Sequence, residues 1–73
     1  MYKNEVFYIM YYYNNISKER KQKNISQQQV AQLLGITQQQ YSLYESGKRE
    51  IPVHCLIILS EYYGVTIDYL VSE

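Results

Sequence analysis

Residues 27–47, QQQVAQLLGITQQQYSLYESG, constrain the fold of this chain more than any other stretch. Two runs of helix-forming residues, 27–34 and 38–46, are separated only by Gly35, Ile36 and Thr37. Glycine ends a helix readily because it tolerates a left-handed backbone, and threonine is favoured at the cap before a helix. The stretch therefore predicts two short helices joined by a tight turn.

The flanking sequence predicts three more helices around this pair. Asn14 or Asn15 could cap the first of them, and Asn24 suits its left-handed exit. Pro52 is expected to start the next one, and Thr66 to cap the last. These three helices are predicted over 13–23, 53–63 and 67–71. Five short helices with brief connections predict a compact all-α domain.

Apolar spacing predicts which helix faces are buried. On the helix that Ser26 would cap, Val30, Leu33 and Leu34 follow the pattern of one buried face. On the fourth helix the spacing i, i+3, i+4, i+7 begins at Leu56 and predicts contact with the core.

A second apolar stripe lies beside that face. Two interpretations remain open: the N-terminal segment folds over this stripe, or the stripe is the isologous interface of a homodimer. The stripe begins at Cys55, and the candidate interface residues are Ile58, Tyr62, Val65 and Tyr69.

Residues 1–12, MYKNEVFYIMYY, are compatible with either helix or strand, and we treat them as an extension of the helical domain at 13–73. The extension either packs its rings on the core as part of helix 1 or forms a dimer arm.

Charge is unevenly distributed along a chain whose formal net charge is zero. Residues 17–49 carry six Lys or Arg and two Glu, whereas residues 50–73 carry four acidic residues and no Lys or Arg. Zero net charge argues against a nucleic-acid partner, but the basic part surrounds the glutamine-rich helix pair.

Several classes of function are not expected. One cysteine, Cys55, fits a reducing cytoplasm, and with His54 it falls short of the four ligands of a structural zinc site. No apolar run has the length of a membrane span. We expect no enzyme, cofactor, metal or small-molecule substrate, because no catalytic set or phosphate-binding loop is present.

Gln38 and Gln39 give the most specific indication of function. They lie at the start of the predicted third helix, and glutamine amides can form paired hydrogen bonds with adenine in the major groove. Free N–H groups near Gln27 could donate hydrogen bonds to a phosphate, and Lys48 and Arg49 could contact the DNA backbone beside the groove. The pattern predicts contact with double-stranded DNA.

The chain also resembles the phage-repressor (lambda repressor and Cro type, XRE-like) helix-turn-helix family over 13–71. GITQQQYSLYESGKREIP is similar to that family's turn and recognition helix, and GVTIDYL to the end of its domain. The positions that carry the resemblance are Gln27, Ala31, Gly35, Tyr41, Tyr44, Glu45, Gly47, Arg49 and Pro52.

The resemblance implies a dimeric repressor or other transcriptional regulator on a near-palindromic operator, and we expect it to act in the cytoplasm. It places Gln38, Gln39 and Leu43 at base-contacting positions. The implied phosphate contacts are Gln27, Ser42, Lys48, Arg49 and Arg20. Arg20 and Glu45 match a pair that braces helix 1 against helix 3 in relatives. The alternative is an antitoxin-type or other protein-interaction module of the same fold, with a protein partner.

Three residues depart from the family pattern. Val53 stands just after Pro52, where some relatives place a minor-groove arginine. Tyr41 replaces the usual Ile or Val, so its hydroxyl must reach a partner or the rim of the core. Leu43 cannot hydrogen-bond to a base edge, although it can contact a thymine methyl group.

Overall fold

Five α-helices form the structure of residues 11–73, the part of the chain that this computed structural model describes. They are α1 (Asn14–Gln22), α2 (Gln27–Leu34), α3 (Gln38–Glu45), α4 (Val53–Tyr63) and α5 (Ile67–Val71). The predicted all-α class is confirmed. The expectation for residues 1–12 lies outside the described residues, apart from Tyr11 and Tyr12.

Reciprocal caps set the starts of α2 and α3, as expected. The Ser26 hydroxyl accepts a hydrogen bond from the Gln29 N–H at 3.0 Å, and the Gln29 side chain accepts one from the Ser26 N–H at 2.8 Å. Thr37 and Gln40 repeat this arrangement at the start of α3, with both distances 3.1 Å. Each cap satisfies backbone N–H groups that a helix leaves without a partner, so both helices begin at defined residues.

The expected asparagine cap of α1 is wrong. Tyr13 occupies the cap position without a side-chain hydrogen bond, and Asn14 and Asn15 are the first two residues of the helix. The Asn15 amide donates instead to the carbonyl of Tyr69 at 2.8 Å, which joins α1 to α5. At the other end, Asn24 does adopt the left-handed backbone, with φ of 57°.

The core lies where all five helices meet. Leu33 was expected there, but it is 40% exposed, because the buried face of α2 is instead formed by Val30, Ala31 and Leu34. Cys55 is buried in the core and is no part of an exposed stripe. The buried apolar residues are Tyr13, Ile16, Val30, Ala31, Leu34, Tyr41, Ile51, Cys55, Leu56, Leu59, Tyr63 and Leu70.

Polar contacts at the edge of the core join the first helix to the last. The Tyr69 hydroxyl donates to Glu19 at 3.0 Å, and the other oxygen of this buried carboxylate pairs with Lys23 at 3.0 Å. The hydrogen bond from Lys23 outweighs burial and lowers the pKa of Glu19. These polar contacts hold the short α5 in place, in addition to the burial of Leu70.

The segment before α1 packs on the loop after α3. The Tyr13 hydroxyl accepts a hydrogen bond from the buried Ile51 N–H at 3.1 Å. Gly47 is buried with φ of 81°, and a Cβ added to it would collide with the carbonyl oxygen of Tyr11. Glycine is therefore required at this position for both its backbone conformation and its lack of a side chain.

We predict that Gly47→Ala destabilises the fold more than Gly35→Ala. Both glycines have left-handed backbones, with φ of 81° and 72°, so each alanine should cost about 1–2 kcal/mol of unfolding free energy. A Cβ added at Gly35 would meet open space, whereas one added at Gly47 would also collide with the carbonyl oxygen of Tyr11. Urea denaturation of both variants measures the difference, and equal losses would contradict the proposed packing.

Candidate nucleic-acid interface

The carboxylate of Glu45, at the end of α3, is shared by donors from three helices. Arg20 of α1 forms two hydrogen bonds with it, from Nε to Oε2 at 2.8 Å and from Nη2 to Oε1 at 3.1 Å. Gln27 of α2 donates to Oε1 at 2.6 Å, and the Tyr41 hydroxyl donates to Oε2 at 2.9 Å. The cluster fixes the positions of both helices of the helix pair relative to α1.

Glu45 is nearly enclosed, since its side chain is 8% exposed and that of Arg20 is 12% exposed. Burial alone would raise the pKa of the Glu45 carboxyl, but hydrogen bonds from Arg20, Gln27 and Tyr41 outweigh burial and lower it. Burial, and after it the charge of the same carboxylate, raises the pKa of the Tyr41 hydroxyl, which stays protonated as a donor. The cluster is therefore an ionised carboxylate whose two oxygens accept hydrogen bonds from Arg20, Gln27 and Tyr41.

The three consecutive glutamines of α3 differ in their surroundings. All three are exposed, but the Gln40 side chain accepts a hydrogen bond from the N–H of Thr37. Within residues 11–73 no hydrogen bond engages the side chains of Gln38 or Gln39. Two amides at the first turn of α3 are therefore free to contact another molecule.

The loop after α3 holds two exposed basic residues close to that helix. The backbone N–H groups of Lys48 and Arg49 both donate to the carbonyl of Leu43, at 3.0 and 3.2 Å. Leu43 and Ser42 are half-buried on the same helix. The predicted base and phosphate positions of α3 thus adjoin two exposed cations.

Gln27, for which the sequence predicted a phosphate contact, is also engaged within the protein. It is half-buried, and one N–H of its side-chain amide is bound to Glu45 beside Arg20. In the first turn of α2, the backbone N–H of Gln29 donates to the Ser26 cap, whereas those of Gln27 and Gln28 have no acceptor within the helix.

Of the four predicted dimer residues, only Tyr62 is exposed, at 50%. Ile58, Val65 and Tyr69 are partly buried and pack against the core. The sequence pattern missed Val53 and Ile57, which are 67% and 44% exposed on α4. These residues lie off the i, i+4 row of Ile58 and Tyr62, and only the tilt of α4 on the core shows that they face outward.

Sequence reasoning also missed the buried Glu19. Its i, i+4 spacing to Lys23 was a visible signal for an ion pair, but Tyr69, its other partner, is distant in the chain.

Residues 11–73 contain no helix with enough length and apolar character to cross a membrane. They also bring together no group of three or more His, Cys, Asp or Glu side chains that could hold a metal ion.

Comparisons with known proteins agree on one family. The family model described as Helix-turn-helix matches residues 16–70. In Bacillus subtilis (strain 168), the uncharacterised HTH-type transcriptional regulator YqaE is 45% identical over 58 residues, which are 80% of this chain and 50% of that protein. The HTH-type transcriptional regulator AnsR of the same organism is 38% identical over 60 residues, 82% of this chain and 52% of that protein.

A solved structure shows the same arrangement of helices. The crystal structure of a transcriptional regulator from Listeria innocua matches with a TM-score of 0.78 and 30% identity, over 86% of this chain and 60% of that chain. The chain spans about half the length of the curated relatives it matches.

The lowered pKa of Glu45 predicts acid-sensitive stability. Its carboxylate contributes fully above the ordinary glutamate pKa of 4.5, and the contribution is lost as pH falls through the lower pKa of the folded state. Glu45→Gln should therefore cost roughly 2–4 kcal/mol near neutral pH and progressively less in acid. Denaturation of both proteins between about pH 7 and about pH 3 measures the gap. A gap that stays constant or widens in acid would contradict this assignment.

Proposed function

The chain belongs to the helix-turn-helix family, and on that premise we propose that it is a sequence-specific DNA-binding transcriptional regulator, acting by binding and not by catalysis. The observation that carries the proposal is the pair of free amides, Gln38 and Gln39, at the first turn of α3. In this docking mode the N-terminal residues of the second helix contact base edges in the major groove.

Base contacts are proposed for three residues of α3. Gln38 and Gln39 can each offer a donor and an acceptor to adenine, which makes them the main source of specificity. Leu43 lies further along the helix and can contact a thymine methyl group, a softer preference without hydrogen bonds.

Phosphate contacts are proposed around these three residues. Lys48 and Arg49 supply the exposed positive charge, and Ser42 and Gln27 supply neutral donors. Arg20 is committed to Glu45, so its contribution to a phosphate is through the field of its charge. Such contacts position the protein without carrying sequence information.

We further propose that the regulator is a repressor that acts in the cytoplasm as a homodimer on a near-palindromic operator. Two-fold symmetric proteins place their helices in successive major grooves one turn apart. The exposed apolar residues Ile57 and Tyr62 of α4 support a contact between copies there.

A protein partner is the second candidate, of the antitoxin type or another interaction module. The exposed face of α4 and α5 favours it, because Val53, Ile57 and Val71 are exposed there and the charged residues of these helices are acidic. A basic partner would be attracted to such a face.

Selection from a random DNA library with the purified chain tests the main proposal. We expect one enriched sequence, for which Gln38→Ala and Gln39→Ala each lose roughly 1–3 kcal/mol of binding and relax the preference at one base position. Gln32→Ala is the matched control, since Gln32 is an exposed glutamine of α2. Variants that retain full affinity and preference would refute the base contacts.

Ile57→Asp should convert a dimer to a monomer without unfolding it, because the side chain is 44% exposed. Leu33→Asp is the control, since Leu33 is 40% exposed on α2. Sedimentation equilibrium gives the masses. A wild-type chain that is monomeric at all concentrations would refute the homodimer and favour the protein partner.

A further inference from the structure

Tyr41 has no solvent exposure, yet its hydroxyl is used in a polar contact. The ring fills the core of the helix pair, and the hydroxyl reaches Oε2 of Glu45 at 2.9 Å. An aliphatic residue would fill the core but could not donate this bond. The hydroxyl therefore adds something beyond packing.

We propose that Tyr41 is a positioning residue for the DNA interface: its hydroxyl holds Oε2 of Glu45, which keeps Oε1 directed at the amide of Gln27. This inference rests on the proposed function, because it concerns how a phosphate contact of that interface is oriented.

The donors divide evenly between the two oxygens of the Glu45 carboxylate. Oε2 accepts from Tyr41 and from Nε of Arg20, while Oε1 accepts from Gln27 and from Nη2 of Arg20. Each oxygen thus has two donors. Removal of the Tyr41 hydroxyl leaves Oε2 with one donor in a nearly enclosed site, and the carboxylate can rotate toward other donors.

The side-chain amide of Gln27 depends on Glu45 for its orientation. Gln27 is the first residue of α2, and the bond of 2.6 Å to Oε1 is the hydrogen bond that its side chain makes within residues 11–73. Holding one N–H of the amide sets the direction of the other. If the carboxylate rotates, the amide loses its fixed orientation and must pay rotamer entropy to contact a phosphate.

Tyr41 itself cannot contact DNA. A side chain with no exposure cannot touch DNA, so any effect of the Tyr41 hydroxyl on affinity must pass through Glu45 and its other partners. Gln27 carries no sequence information if it binds phosphate, so the effect should be the same for all DNA sequences.

The test is a double-mutant cycle between Tyr41→Phe and Gln27→Ala, with affinities measured by fluorescence anisotropy on the selected duplex and on a scrambled duplex. Circular dichroism establishes a temperature at which every variant is folded. Tyr13→Phe is the matched control, because it also removes the hydroxyl of a buried tyrosine, at a bond to the Ile51 backbone.

We expect Tyr41→Phe to weaken binding roughly threefold to tenfold on both duplexes. In the Gln27→Ala background the same substitution should have no further effect, since the residue through which it acts is gone. Tyr13→Phe should lower the unfolding midpoint and leave affinity unchanged.

Three results would overturn the inference while the proposed function stands: full affinity of Tyr41→Phe, an equal loss with and without Gln27, or an equal loss in Tyr13→Phe. A wild-type chain that binds neither duplex would overturn the proposed function and this inference together.

Discussion

The carboxylate of Glu45 is the contact on which the arrangement of α1, α2 and α3 depends. A single carboxylate accepts from Arg20, Gln27 and Tyr41, one residue from each helix. Because the site is nearly enclosed, an unpaired charge there would be costly, and the arrangement that supplies all three donors is the most stable one. The geometry of the helix pair is thus set by a polar contact as well as by apolar packing.

Tyrosine allows this small core to combine apolar burial with specific polar contacts. Tyr13 and Tyr69 pack their rings in or against the core and use their hydroxyls to join distant segments. Tyr41 buries its ring in the same core, and its hydroxyl holds Glu45, one turn further along α3. Tyr63 is different, since its buried hydroxyl has no hydrogen-bond partner within residues 11–73, and burial raises its pKa to about 12. Ring burial at that position outweighs the cost of one unsatisfied hydroxyl.

Local chemistry made the helices predictable, whereas the tertiary contacts required the structure. Ser26, Thr37 and Thr66 cap their helices through bonds that span three residues, so sequence alone was sufficient. Asn15 was misassigned because its partner, Tyr69, is 54 residues away. Leu33 was misassigned because the tilt of α2 on its neighbours decides which side of a broad apolar face is covered. At the candidate site, the exposure of Gln38 and Gln39 followed from periodicity, but the bond between Gln27 and Glu45 did not.

The separation of charge has a consequence for how such a molecule would find DNA. A chain with zero net charge gains little long-range attraction to a polyanion, so the exposed cations beside α3, Lys48 and Arg49, act mainly at short range. Capture would then occur mainly within a Debye length of the duplex, about 8 Å at physiological salt. The dwell time on unrelated DNA should be short, so that more of the population remains free to sample new sites.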